Sequence, residues 1–105
     1  MTTEIAPDQI RSRIAAGEEI FLLDVREPHE VAQWAFPDAV NIPLGQLSAR
    51  ADEVPTDRPV VVACHSGVRS AAAADELNRR GWSAQNLAGG AVAWLATEEE
   101  SGQGR

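Results

Sequence analysis

The 105 residues predict an α/β domain built on a mainly parallel sheet, and three observations carry that reading. Two short apolar runs, IFLLDV at 20–25 and PVVVAC at 59–64, have the composition of strands buried on both faces. Stretches with helical spacing of apolar residues separate the strand-like runs, the clearest at 69–80. No repeat or linker composition divides the chain, and its length suits one domain.

Taken in order, Thr3-Glu4-Ile5 reads as a short edge strand. Pro7 suits a first helical position, and Ile10, Ile14 and Ala15 give a stripe that ends at Gly17. After the strand at 20–25, Pro28 opens a short helix in REPHEVAQW, with Val31, Ala32 and Trp34 as its apolar contacts. AVNIP, 39–43, is a further short strand stopped by Pro43, and LGQLSARADEV holds a helical turn or two before Pro55. PVVVAC follows as the clearest buried strand. The helix at 69–80 packs through Leu77 and its alanines, places Arg79 and Arg80 at its negative end, and stops at Gly81. SAQNL, 83–87, is a last strand, and GGAVAWLA begins a last helix. The domain is expected to occupy residues 1–96, with 97–105 a flexible, charged tail.

Composition narrows the function. Nine arginines, no lysine and 16 carboxylates give a net charge of −7, the wrong sign for a nucleic-acid footprint. A small anion is still compatible, because exposed charges more than about 8 Å away are screened at physiological salt. No apolar run reaches the roughly 18 residues of a membrane span. MTTEIAPDQ lacks the basic and apolar regions of a signal peptide, and a lone cysteine fits a reducing, cytoplasmic location. One cysteine and two histidines, His29 and His65, show no zinc spacing, so no metal is expected.

That cysteine, Cys64, lies where the strand PVVVAC hands over to the 69–80 helix. Gly67 tolerates the positive φ that such a sharp turn requires. Successive backbone N–H groups of the turn and of the helix start form a concave anion site. The helix dipole adds about +0.5 charge there, and Arg69 adds a full one. In such a field a thiol falls from about 8.5 to roughly 3.5–7.5, and the thiolate is the nucleophile. The competing reading, a small buried hydrophobe, suits a lone cysteine after VVVA but not the glycine, arginine and helix start that follow. In parallel sheets, crevices form beyond the carboxyl ends of strands. Asp24-Val25-Arg26 ends another strand and is therefore expected on the same edge as Cys64. Asp24 orients loop N–H groups or Arg26, or satisfies donors at its strand end. Arg26 supplies positive potential for an anionic donor, or pairs at the surface with Glu27 or Glu30. His65 contacts substrate or faces solvent, His29 is a surface residue, Gly89-Gly90 is a turn, and Trp34, Trp82 and Trp94 are packing residues.

Cys64-His-Ser-Gly-Val-Arg-Ser70 resembles the C-x-x-G-x-R-S loop of single-domain rhodanese-like sulfurtransferases. LLDVREPHE, 22–30, is similar to that family's strand ending in D-V-R-E. FPDAVNIPL, 36–44, resembles I-P-G-A-I-N-I-P-L, and LAGGAVAW, 87–94, resembles L-x-G-G-x-x-A-W. The four motifs fall in family order over about residues 3–96. Trp34-Ala35 replaces the usual G-H, Asp38 replaces a glycine, and Ala63 stands where relatives often have an aromatic residue.

The resemblance implies a sheet of about five strands flanked by helices on both faces. It also implies a catalytic Cys64 that carries sulfane sulfur as a persulfide, between thiosulfate or a protein persulfide and a thiophilic acceptor. That acceptor is cyanide, a thiol or a partner protein. His65, Ser66, Gly67, Val68, Arg69 and Ser70 would hold the sulfur anion, with Asp24 and Arg26 in support. No cofactor is implied. Two alternatives stand beside it: a non-enzymatic docking module of the same fold, and a cysteine-dependent phosphatase or arsenate reductase. The phosphatase families place five residues between cysteine and arginine, whereas four separate Cys64 from Arg69.

Overall fold

In the computed structural model, which describes residues 2–103, strand and helix alternate along the whole chain. The first half comprises β1 (Glu4–Ile5), α1 (Pro7–Ala15), β2 (Phe21–Asp24), α2 (Pro28–Gln33) and β3 (Val40–Asn41). A 3₁₀ turn (Leu44–Gln46), α3 (Leu47–Arg50) and a second 3₁₀ turn (Ala51–Glu53) lead to β4 (Val60–Ala63). The chain then forms α4 (Val68–Arg79), β5 (Ala84–Leu87) and α5 (Gly90–Gln103).

The five strands are all parallel, in the order β1-β5-β4-β2-β3. β4 is central because it has no polar side chain to satisfy, and none of its four residues is more than 1% exposed. Strand alternation divides its side chains between two cores. Val60, Val62 and Cys64 face Leu23, Leu47, Ala73, Ala74 and Leu77 beneath α3 and α4. Val61 and Ala63 face Ile10, Leu22, Phe36, Ala91 and Trp94 beneath α1 and α5. Each fully buried valine contributes about 1.5–3 kcal/mol relative to exposure, so this one strand ties both layers to the sheet.

The strand order reverses between β2 and β4: the chain leaves β2 outward to β3 and leaves β4 outward to β5. A crevice opens at such a reversal, beyond the carboxyl ends of the two strands. Asp24 pairs in register with Ala63, which sets Val25-Arg26 beside Cys64 at that crevice.

Trp94 is buried and stacks edge-on with Phe36, which stacks edge-on with Trp34. Trp82 donates its indole N–H to the Val54 carbonyl. Asp38, where the similar family segment has glycine, adopts φ 56°, a left-handed conformation that aspartate tolerates better than most residues. α5 runs past residue 96, where the sequence reading closes the domain. Thr97 Oγ1 bonds back to the Ala93 carbonyl, and Arg11 clamps both the Trp94 carbonyl and Thr97 Oγ1. Residues 97–103 are thus part of the helix, while residues 104 and 105, the end of the expected tail, lie outside the described residues. Among the described residues no helix is long and apolar enough to cross a membrane.

Candidate active site

Cys64 leaves β4 one residue past its end, with its side chain 1% exposed. The chain then turns through His65 and Ser66 to Gly67, which caps α4 at φ 100°. That turn folds the loop back over the sulfur. Sγ accepts hydrogen bonds from Gly67 N at 3.1 Å, Ser70 N at 3.4 Å and Ser70 Oγ at 3.2 Å. Burial pushes the thiol up, but the Ser70 hydroxyl and the backbone N–H groups of Ser70, Gly67 and Ser66 outweigh it, so Cys64 is held below the ordinary thiol range. The direct donors lead this effect.

Arg69, read from sequence as a charge for the loop, turns aside. Its guanidinium forms a two-pronged pair with Glu30 of α2, Nη1 to Oε1 at 2.7 Å and Nη2 to Oε2 at 2.9 Å. The pair pulls Glu30 down to about 2, and Arg69 feels the Cys64 charge only after Glu30. Planar guanidinium and carboxylate groups match in this geometry, which makes the pair a strap between α2 and the start of α4.

Arg26 lines the crevice from a buried position. It is 4% exposed and grips the buried Asp24 carboxylate, Nη2 to Oδ2 at 2.7 Å and Nε to Oδ2 at 3.0 Å. Asp24 Oδ1 also accepts the Arg26 backbone N–H at 3.0 Å, and Arg26 Nη2 donates to the Trp34 carbonyl at 2.9 Å. The ring of Phe36 lies 5.1 Å from the guanidinium carbon. Of the sequence options, Asp24 orients Arg26, and neither surface pair of Arg26 forms. Burial is what excludes them: a charge this deep must be paired and hydrogen-bonded. Asn41 completes this wall, donating to the carbonyls of both Asp24 and Arg26.

His65 and Ser66 are exposed, and Val68 is 76% exposed on the first turn of α4. A cleft of about 330 Å³ opens beside the loop. Its polar wall is Arg26, Glu30, Gln33 and His65. Its apolar wall is Trp34, Ala91, Val92 and Leu95, which makes Trp34 part of the rim as well as a packing residue. A larger hollow of about 500 Å³ lies between α1, α5 and the 37–38 turn, and Cys64 lines neither this hollow nor the cleft.

Three supports of the loop are not evident in the sequence. Asn86, buried in β5, donates to the Gly67 carbonyl at 3.0 Å and to both Glu4 oxygens, and accepts from Ser70 Oγ. Glu4, in β1, thereby reaches the loop through Asn86. A buried asparagine in a strand was the one available signal, since strands are depleted in this residue. The third support is the start of α5. Ala91 N donates to the Cys64 carbonyl at 2.9 Å and Val92 N to the His65 carbonyl at 3.1 Å. A Cβ on Gly90 would stand 2.5 Å from the Cys64 carbonyl oxygen, so only glycine allows this approach. Gly89-Gly90 is a turn, as its sequence suggests, and it also lets α5 dock on the loop.

The result is a buried thiol held below its ordinary range at a sheet-edge crevice, gripped by N–H and O–H donors, with a half-apolar cleft beside its loop. The rhodanese-like domain family matches residues 6–97, and the chain belongs to that family. It is 40% identical over 95 residues to a sulfurtransferase of Allochromatium vinosum, covering 90% of this chain and 89% of that one. A rhodanese-related protein of Thermoplasma volcanium superposes with a TM-score of 0.83 at 29% identity, covering 90% and 92% of the two chains. A rhodanese-like domain protein of Staphylococcus aureus superposes with a TM-score of 0.84 at 27% identity, covering 89% and 91%.

Proposed function

We propose that the protein is a sulfurtransferase that carries one sulfane sulfur on Cys64. The observation that supports this most is the set of three donors on Sγ. They stabilise a thiolate, and after transfer they can stabilise the negative terminal sulfur of a persulfide. In the first half-reaction the thiolate attacks the outer sulfur of thiosulfate or of an organic or protein persulfide. An S–S bond forms on Cys64, the donor's S–S bond breaks, and sulfite or the donor thiolate leaves with the electron pair. In the second, an acceptor such as cyanide, a thiol or a partner protein attacks the terminal sulfur and returns Cys64 as thiolate. No proton has to move in either displacement, so His65 is not assigned a base role.

The acceptor enters along the 330 Å³ cleft, past His65 and Trp34. Ser66 and Val68 are exposed on the loop, Gly67 and Ser70 bind the sulfur, and Asp24 with Arg26 stiffens the wall. The name of the Allochromatium relative is in keeping with sulfur transfer. Phosphoryl transfer fits less well, because a phosphate's oxygens need cations at the mouth and Arg69 is taken by Glu30.

The test is turnover on one preparation with each donor and with an aryl phosphate. Thiocyanate formation from a sulfur donor and cyanide, absent in Cys64→Ser, supports the proposal. Cys64-dependent phosphatase turnover without sulfur transfer contradicts it.

A further inference from the structure

We infer that Glu30 is a specificity-determining residue: by occupying Arg69 it leaves the described residues at the entrance to Cys64 without an unpaired arginine, and so favours a singly charged organic persulfide over the thiosulfate dianion. This rests on the sulfur-transfer reading above and narrows its donor.

The charges at the entrance cancel in pairs. Arg69 is bidentate with Glu30, and Arg26 is bidentate with Asp24. Glu27 adds a second carboxylate within electrostatic reach of Arg69. The chain as a whole carries −7. A dianion that enters sheds water and finds no unpaired arginine among the described residues there, and shedding that water is costly unless a partner replaces it. Two of the loop's backbone donors, Gly67 N and Ser70 N, already engage Sγ. A persulfide carries one negative charge, on the sulfur to be transferred, attached to an organic body. The cleft offers that body an apolar wall of Trp34, Val92 and Leu95, with Val92 and Leu95 54% and 40% exposed.

Glu30→Gln is a clean perturbation. The glutamine amide oxygen can still accept the Glu27 N–H that Glu30 Oε1 now accepts at 2.9 Å, so the start of α2 is retained. What is lost is the charge that masks Arg69. Two reagents of nearly equal shape, iodoacetate and iodoacetamide, report the field at Sγ without any sulfur transfer. The ratio of their alkylation rates cancels changes in thiolate fraction.

The experiment compares wild type, Glu30→Gln and Glu30→Gln/Arg69→Gln. It measures the iodoacetate-to-iodoacetamide ratio and the kcat/KM ratio for thiosulfate against an alkyl persulfide. Unmasking one positive charge near the sulfur should raise both ratios about fivefold in Glu30→Gln. The double variant should return both to the wild-type values. The urea-unfolded chain supplies the alkylation ratio of an unstructured thiol, so a misfolded variant is recognised. An unchanged or lowered alkylation ratio in folded Glu30→Gln overturns the masking, whatever the transfer assay gives. A raised alkylation ratio with an unchanged donor ratio overturns the role in specificity. Raised alkylation with no sulfur transfer from either donor in any variant leaves the masking standing, overturns the sulfur-transfer reading and removes the donor assignment with it.

Discussion

Replacing Gly90 by alanine puts a methyl group where the backbone of the active loop already lies. The added Cβ would sit 2.5 Å from the Cys64 carbonyl oxygen and 2.6 Å from that of His65. Ordinary contact begins at 3.4 Å, so the loop and α5 must separate by about 0.9 Å. That separation strains two hydrogen bonds, Ala91 N to Cys64 O and Val92 N to His65 O, each contributing about 1 kcal/mol. Gly90 also has φ 57°, where a side chain costs a further 1–2 kcal/mol or so. The expected loss of stability is therefore about 3–4 kcal/mol, read as a shift in urea midpoint at unchanged slope. Gly17→Ala is the internal control: Gly17 also has a positive φ, 93°, but nothing lies within 4 Å of its Cβ position. It should lose only the conformational part, about 1–2 kcal/mol. Because Cys64 moves with its carbonyl, sulfur transfer by folded Gly90→Ala should fall by up to about 100-fold. Equal stability losses for the two variants, or wild-type turnover in Gly90→Ala, would refute the idea that α5 holds the loop by direct contact.

Ser70→Ala removes one of the three donors on Sγ, and the midpoint of Cys64 alkylation against pH should rise by about one unit, the lower end expected for a bond to a charged group that Ser70 shares with Asn86; an unmoved midpoint would mean that the backbone N–H groups suffice. Acidification tests the Glu30–Arg69 strap. Glu30 is lowered from an ordinary 4.5 to about 2 in the folded chain, so its contribution is fully present above about 4.5 and is lost as pH falls through 2. Solvent screening of the partly exposed pair limits that contribution to about 1 kcal/mol, and Glu30→Gln should flatten the corresponding slope of stability against pH. Asp24→Ala leaves Arg26 buried and unpaired, which should cost about 3–5 kcal/mol in urea unfolding, and a loss below 1 kcal/mol would place Arg26 in water instead.

The backbone of this site is written locally, whereas its electrostatics are written across the chain. Val60 to Cys64 can be read as a central strand because alternation and β-branching are properties of neighbours, and Gly67 with the alanines after it marks the turn and helix in the same way. The same edge for Asp24 and Cys64 follows from parallel strands. Arg69 is different. Its position was legible and its direction was not, because its partner Glu30 is 39 residues away on α2. Arg26 shows the same limit: an exposed-looking charge in D-V-R-E becomes buried once Trp34 and Phe36 fold over it. Glu4 reaches the loop through Asn86, 82 residues away in sequence, by a pairing of β1 with β5 that local pattern does not specify. Gly90 was visible as a turn, but the close approach that requires it exists only after α5 packs on the loop.

The central claim is that Cys64 itself holds the transferred sulfur, and intact mass measures this directly. Wild type and Cys64→Ser are each incubated with thiosulfate and, separately, with an alkyl persulfide, freed of excess reagent, weighed, then treated with cyanide and weighed again. Wild type should gain one sulfur atom with the persulfide donor and less with thiosulfate, Cys64→Ser should gain none, and cyanide should reverse the gain fully with release of thiocyanate. A wild-type chain that gains no sulfur from either donor, or a Cys64→Ser chain that gains as much, contradicts the claim.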